Sequence, residues 1–226
     1  MKKYKLILFS TLSLLITPVY ANDNAEQLFN ERCAACHSIN DNSHITLRER
    51  LQEKAPTLYY AGNKFNRAWL QTWLAAPSKI RPGGYSFFNN VNVTDEGDVI
   101  DESKITTHIA VNSTLAALLT DYLMAQTPKS DLIALEKVTL GKINRSLGSK
   151  DFNKFKGCGS CHQDEEGYGG VSGPQLYESI QRLQPEFIAS YTRNPEAWDP
   201  KTLMPNRHLN DNSIKKLLNY LNVISQ

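Results

Sequence analysis

Cys33-Ala34-Ala35-Cys36-His37 recurs, in pattern, as Cys158-Gly159-Ser160-Cys161-His162, and the two stretches together use every cysteine of the chain. With four Cys and five His among 226 residues, one such pattern arises by chance in roughly one chain in a thousand of this composition, so two chance copies are negligible. Two thiols three residues apart can each bond one vinyl group of the same porphyrin, and the His that follows then faces the iron as its proximal ligand. The spacing therefore predicts two covalently attached haem c groups, one on Cys33, Cys36 and His37, the other on Cys158, Cys161 and His162. A thioredoxin-like dithiol and a zinc knuckle are the rival readings. The dithiol needs a strand–helix unit around it, which neither copy has, and neither rival explains an adjacent His in both copies.

Both motifs resemble those of c-type cytochromes, and the spacing beyond them is similar to the small all-helical class I fold, present twice and covering essentially the whole mature chain. The resemblance implies an all-α protein of two tandem class I cytochrome c domains, each wrapped on a covalently bound haem. The expected divisions are a signal peptide over 1–21, a first domain over 22–128 with an insert at about 87–106, and a second over 129–226. Each domain is small for a self-sufficient core, and haem supplies the missing apolar mass.

The leader reading rests on Lys2, Lys3 and Lys5, an apolar run from Leu6 to Val19, and the small-residue site Val19-Tyr20-Ala21. The run is short for a membrane span and no cysteine follows it for lipidation, so cleavage and release are expected, leaving no integral membrane segment. Cytochromes of this resemblance receive haem on the outer face of the inner membrane, which implies the periplasm. Without the leader, 25 basic residues lose three, leaving 22 against 23 acidic. A near-neutral chain with no basic cluster gives no support to nucleic-acid binding.

From Pro56 an internal repeat runs without a gap at an offset of 118, through Pro77 and Pro195. It matches Leu58 with Leu176, Tyr59 with Tyr177, Lys64 with Arg182, Trp69 with Phe187 and Trp73 with Tyr191. The resemblance implies that Pro56 and Pro174 offer their carbonyls to the proximal imidazoles, a bond that fixes the ring and tunes the ligand. The aromatics four apart on the following helices share a face, and Trp73 or Tyr191 is a candidate donor to a haem propionate.

The two copies diverge on the distal side. Lys201-Thr-Leu-Met204-Pro205-Asn206 looks like the family's distal methionine loop, which implies Met204 as sixth ligand of the second haem. The same offset puts Ser86 opposite Met204, and serine supplies no thioether. Between Ser86 and Tyr122 the first half carries about 20 more residues than the second has between Met204 and Tyr220. The insert predicts a hairpin of Val91 and Val93, a turn at Asp95-Glu96-Gly97, then Val99 and Ile100. Its acids suggest a solvated surface, a docking patch or a calcium site. His108 stands at its end, within reach of the first haem's distal face, with an open or water-bound iron, Met124 and Tyr85 as the other possibilities. His44 and His208 read as surface residues.

Closing helices are expected from about Ser113 and Asp211, and a linker helix from Ser130 carrying Leu132, Leu135 and Ile143. No Ser-His-Asp set, dinucleotide fingerprint or third metal cluster is present. These observations imply a soluble periplasmic dihaem cytochrome c, not an enzyme, that carries single electrons between redox protein partners. A dehydrogenase or quinol-oxidising complex would lie upstream and a reductase or oxidase downstream. The alternative is a dihaem enzyme or its subunit, in which the first haem is an open or atypically ligated substrate site.

Overall fold

The computed structural model describes residues 19–226; the leader expected over 1–21 lies outside the described residues but for its last three, which open α1. The first half runs α1 (Val19–Arg32), α2 (Leu47–Gln52), α3 (Ala61–Lys64), α4 (Arg67–Ala75), a 3-10 turn at Gly84–Asn89, a hairpin of β1 (Val91–Thr94) and β2 (Gly97–Ile100), then α5 (Ser113–Met124). The second half follows with α6 (Ser130–Ala134), α7 (Arg145–Lys150), a π turn at Asp151–Phe155, and a small hairpin of β3 (Gln163–Glu165) and β4 (Tyr168–Gly169). It ends with α8 (Ser179–Arg182), α9 (Pro185–Arg193), α10 (Pro195–Trp198) and α11 (Asp211–Ile224).

The two antiparallel hairpins overturn the expectation of an all-α fold built as two tandem class I cytochrome c domains. The fold is mixed, mainly helical with two small sheets. The β1–β2 register pairs Val91 with Ile100 and Thr94 with Gly97, whose φ of 120° closes the turn in a region that favours glycine. The second hairpin starts at the residue after His162 and turns through Gly167 at φ 74°. The expected linker helix is also shorter than the sequence suggests. It stops after Ala134, and residues 136–144 form no regular element, with Val138 and Leu140 packed against Ile214 and Leu218 of α11. Gly141 exchanges hydrogen bonds with the Asn219 and Asn222 side chains there, which competes with a helical path.

Local chemistry sets the helix starts. Asn112 and Asn210 cap α5 and α11, their side chains accepting from the N–H groups of Leu115 and Ser213. Thr46 and Glu49 form a reciprocal capping box on α2, and Pro185 stands in the first turn of α9. The first core joins Phe29 of α1, Leu70 and Leu74 of α4, and Leu119, Tyr122 and Leu123 of α5. Phe29 meets Tyr122 at 5.6 Å between ring centroids, and Phe152 meets Tyr220 at 5.9 Å in the second half.

The repeat read at an offset of 118 carries over to element bounds, since α3 maps onto α8 and α4 onto α9 residue for residue. The equivalent segments also meet each other. Phe65 and Leu183, repeat equivalents, form an antiparallel bridge. Asn66 N–H donates to Arg182 O at 2.8 Å, and its equivalent, Gln184, donates from its N–H to Lys64 O at 2.9 Å. The Asn66 amide donates to the carbonyls of Ile180, Gln181 and Leu183. The Gln184 amide returns the pattern to Gly62 and Phe65, the equivalents of Ile180 and Leu183. Residue i meets j while j meets i, the rule of an isologous interface realised within one chain. Tyr60, Phe187 and Trp198 fill its apolar side, with Leu132 and Ile133 of α6 against them.

The exchange predicts that Asn66→Ala and Gln184→Ala each lower stability by about 1–3 kcal/mol, because carbonyls inside the interface lose their donor. Denaturant unfolding checks this against Asn30→Ala on the exposed face of α1, which should stay within about 0.5 kcal/mol of the parent.

Candidate functional site

In the first half α1 hands directly into the motif. Phe29, buried at 1 % exposure, anchors the last turn, and its carbonyl accepts from the N–H groups of Cys33 and Ala34. The N–H groups of Cys36 and His37 then close on Cys33 O at 3.0 and 2.9 Å. The His37 Nδ1 lies 2.8 Å from Pro56 O. A carbonyl only accepts, so Nδ1 carries the proton and Nε2 keeps a free lone pair. Leu58 N–H and Thr57 Oγ1 both bond Ser38 O, which straps the proline beside the ring.

The second half repeats this with shorter means. The N–H groups of Cys161 and His162 close on Cys158 O, and His162 Nδ1 donates to Pro174 O at 2.7 Å. Twelve residues separate His162 from Pro174, against nineteen between His37 and Pro56. The β3–β4 hairpin folds the shorter connection, and Gly173 makes it fit, because a Cβ there would stand 2.6 Å from His162 Cε1. Burial lowers the pKa of both imidazoles, against the opposing hydrogen bonds to Pro56 and Pro174. Burial thus favours the neutral form of both rings.

The distal residues differ. His108, half-buried on the segment after the insert, donates from Nδ1 to Ile109 O at 2.9 Å and packs on Trp73 at 4.4 Å between ring centroids. Its ring centroid lies 6.2 Å from that of His37. Metal–nitrogen bonds of about 2 Å on either side, plus roughly 1 Å from each nitrogen to its ring centre, put two axial imidazoles of one iron about 6 Å apart. The pair fits that span, and both rings have Nε2 free. Met204 sits half-buried on the loop before α11, its N–H bonded to Thr202 Oγ1, which also meets Tyr191 OH at 2.7 Å.

Several candidate residues go elsewhere. The Tyr85 phenol donates to Lys201 O at 2.5 Å, and Met124 packs against the first core. His44 and His208 are exposed. Trp73 Nε1 donates to Ser78 O and Tyr191 OH is engaged with Thr202, so both donors considered for a propionate have partners within the chain. Within the acidic insert, Asp101 is held by Ser103, Asn92 and Lys104.

All four cysteines are free, and burial pushes the Cys33 and Cys158 thiols up. A redox dithiol needs the opposite shift. Among the described residues no three His, Cys, Asp or Glu side chains converge as a bare ion would require. A porphyrin brings four nitrogen donors of its own, so a haem asks the chain for two axial ligands and two thiols. The residues present fit that group. Among the described residues, no helix is long and apolar enough to cross a membrane.

Sequence reasoning missed the way each distal loop reaches the other half. Arg81 donates to Val171 O, Gly84 N–H to Ser172 O, and Gly83 lies so close to Pro174 that a Cβ would stand 2.5 Å from its nitrogen. In return Asp199 pairs with Arg50, and Lys201 Nζ donates to Ser43 O. The Pro-Gly-Gly run at residues 82–84 was the available signal. Comparison of the chain with known protein families, curated proteins and solved structures gives no match.

Gly173→Ala is expected to push the His162 ring off Pro174 O. The measurement is histidine ring 15N shifts, which should change for His162 and stay unaltered for His37 and His108.

Proposed function

We propose that the protein is a dihaem cytochrome c of the periplasm that carries single electrons between redox protein partners. The observation that carries this reading is the pairing of each Cys-x-x-Cys-His motif with a proline carbonyl that fixes its imidazole with Nε2 free. When bound, each haem supplies a one-electron Fe(III)/Fe(II) couple. The chain's own work is to hold, orient and shield. Cys33 and Cys36, with Cys158 and Cys161, supply the covalent links. His37 and His162 supply the proximal nitrogens, and Pro56 and Pro174 keep the donated proton on Nδ1.

On this reading His108 and Met204 are the distal donors, a nitrogen in one half and a thioether in the other. The span between His37 and His108 favours a filled first site over an open one, and so a carrier over a dihaem enzyme. A thioether favours the reduced iron relative to a second imidazole, so the second site would be the higher in potential. Partners of the upstream dehydrogenase or quinol-oxidising kind, and downstream reductases or oxidases, follow from that role.

Mass spectrometry of the mature protein, made with a haem-attachment system, is expected to show two haems and no free thiol. Replacing Cys158 and Cys161 should leave one. Titratable thiols in the native protein would overturn the reading.

The axial assignments have their own test in absorption spectra and redox titration. His108→Ala should turn one haem high-spin and able to bind carbon monoxide, while Met204→His should lower the potential of the other. A high-spin, ligand-binding haem already present in the parent would favour the enzyme instead.

A further inference from the structure

The two hairpins border one groove at the junction of the halves. Their tips carry the same chemistry, Asp95-Glu96-Gly97 in the insert and Glu165-Glu166-Gly167 after the second motif. The groove between them has a volume of about 440 Å³ and is lined by the acids Asp98, Glu102 and Glu166 and by the apolar Val99, Ile105 and Val171. That volume lies in the range, roughly 300–1,000 Å³, of clefts that bury a ligand. No motif cysteine or histidine lines it, and neither His108 nor Met204 does.

The chain leaves this surface uncompensated. Asp95, Glu96, Asp98, Glu102, Glu165 and Glu166 are exposed, and among the described residues none of them forms an ion pair. Asp101, by contrast, is paired with Lys104. The cations lining the groove are Lys79, which donates to Glu102 O at 3.2 Å, and Arg81, which donates to Val171 O. Six carboxylates against two cations leave an excess of four negative charges. Val99 and Tyr168 stand 54 % and 60 % exposed in the same hairpins, and two-stranded sheets keep open edges. Protein interfaces combine an apolar centre with a polar rim, and the sign of this rim sets the sign of the surface it meets.

We infer that the groove between the hairpins docks a basic redox protein, which seats a Lys- or Arg-bearing loop with an apolar tip against Val99. The proposal rests on the dihaem reading and adds to it the docking surface and the charge of the partner. Size sets the kind of contact. At about 3.4 Å per residue and 4.8 Å between strands, two such short hairpins offer on the order of 300 Å², against about 800 Å² per partner in a stable complex. A contact that small is steered by charge and releases readily, as a shuttle requires. Its place also fits. Ile105 stands three residues before His108 and Gln163 directly follows His162, so the docked partner meets chain that runs into one donor of each candidate site.

The experiment follows the amide 15N shifts of the haem-loaded protein as mitochondrial cytochrome c, a basic one-electron protein, is added, with flavodoxin as the acidic counterpart. Shifts are expected over residues 91–105 and 163–171 with the basic probe and not with flavodoxin. The affinity should fall about tenfold between about 0.01 and 0.15 M salt. Asp98→Asn, Glu102→Gln and Glu166→Gln combined should weaken binding about tenfold, while Glu26→Gln on the exposed face of α1 should leave it unchanged. Val99→Ser should weaken it about threefold with the salt dependence kept, which tests the apolar centre apart from the charge.

Shifts confined to other faces, no shifts, or an equal loss in Glu26→Gln overturn the proposal. Hairpin shifts that grow with the protein's own concentration before any probe is added make a second copy the occupant, and the proposal falls. A combined variant that aggregates but binds the probe as the parent does would leave the acids as guards of the open edges, and the docking assignment falls with that result too. Absence of haem from the protein's mass overturns the dihaem reading and the partner's redox role, while the shift map still reads whether the groove takes a basic protein.

Discussion

The amide exchange between Asn66 and Gln184 is the constraint on which both sites depend. α3 and α8 are four residues each, too short to satisfy their own carbonyls or to be stable alone. The opposite half supplies the missing donors, Asn66 to Ile180 and Leu183 at α8 and Gln184 to the equivalent Gly62 and Phe65 at α3. Pro56 and Pro174 each lie five residues before these helices, so holding the helix fixes the carbonyl, and the carbonyl fixes the imidazole. A break at the interface would thus be felt at both imidazoles, through Pro56 and Pro174.

Legibility followed the range of the interaction. The motifs, the 118-residue offset and the valine hairpin of the insert are local patterns, so they could be read directly. The second hairpin could not, because β3 and β4 are three and two residues long and their alternation is too brief to register. Its cause is geometric. His162 and Pro174 are separated by a short chain with Gly167, Gly169, Gly170 and Gly173 in it, and that chain must double back. The linker was misread for the opposite reason: Leu132, Leu135 and Ile143 match a helical stripe, but side-chain amides of α11 capture the backbone at Gly141. Leu135 accordingly stands 79 % exposed. In the site, His108 was one of several open candidates because nothing local distinguishes it from Tyr85; only the folded chain puts Trp73 behind it and gives the Tyr85 phenol to Lys201.

The interface also explains a charge pattern that composition hides. Counted over the chain, acids and bases nearly balance, but the balance is not local. The insert carries Asp95, Glu96, Asp98 and Glu102 outward, while Arg50, Lys64, Arg81 and Arg182 turn inward to the junction, where only Arg50 is paired within the described residues. Buried guanidinium nitrogens without acceptors are seldom tolerated, and the repeat makes the case sharper by putting Lys64 and Arg182 at equivalent positions near each other.

The halves share the bond from the motif histidine to a proline carbonyl and differ around His108 and Met204, and the insert accounts for the difference without disturbing the shared part. Asp101 N–H returns to Asn90 O at 2.9 Å, so the β1–β2 hairpin is closed at its own base. Ile105, at 8 % exposure, seats the returning chain, and Val111 N–H bonds Leu74 O at the end of α4. An insertion closed in this way lengthens the sequence while adding little span. It delivers a new residue to the place where the chain would otherwise re-enter α5. That residue is His108, braced by Trp73 of α4, the helix whose repeat partner α9 carries Tyr191 toward the Met204 loop through Thr202. Equivalent positions, Trp73 and Tyr191, thus support different distal groups. On the proposed reading that substitution of support makes two inequivalent electron sites from one repeated proximal frame.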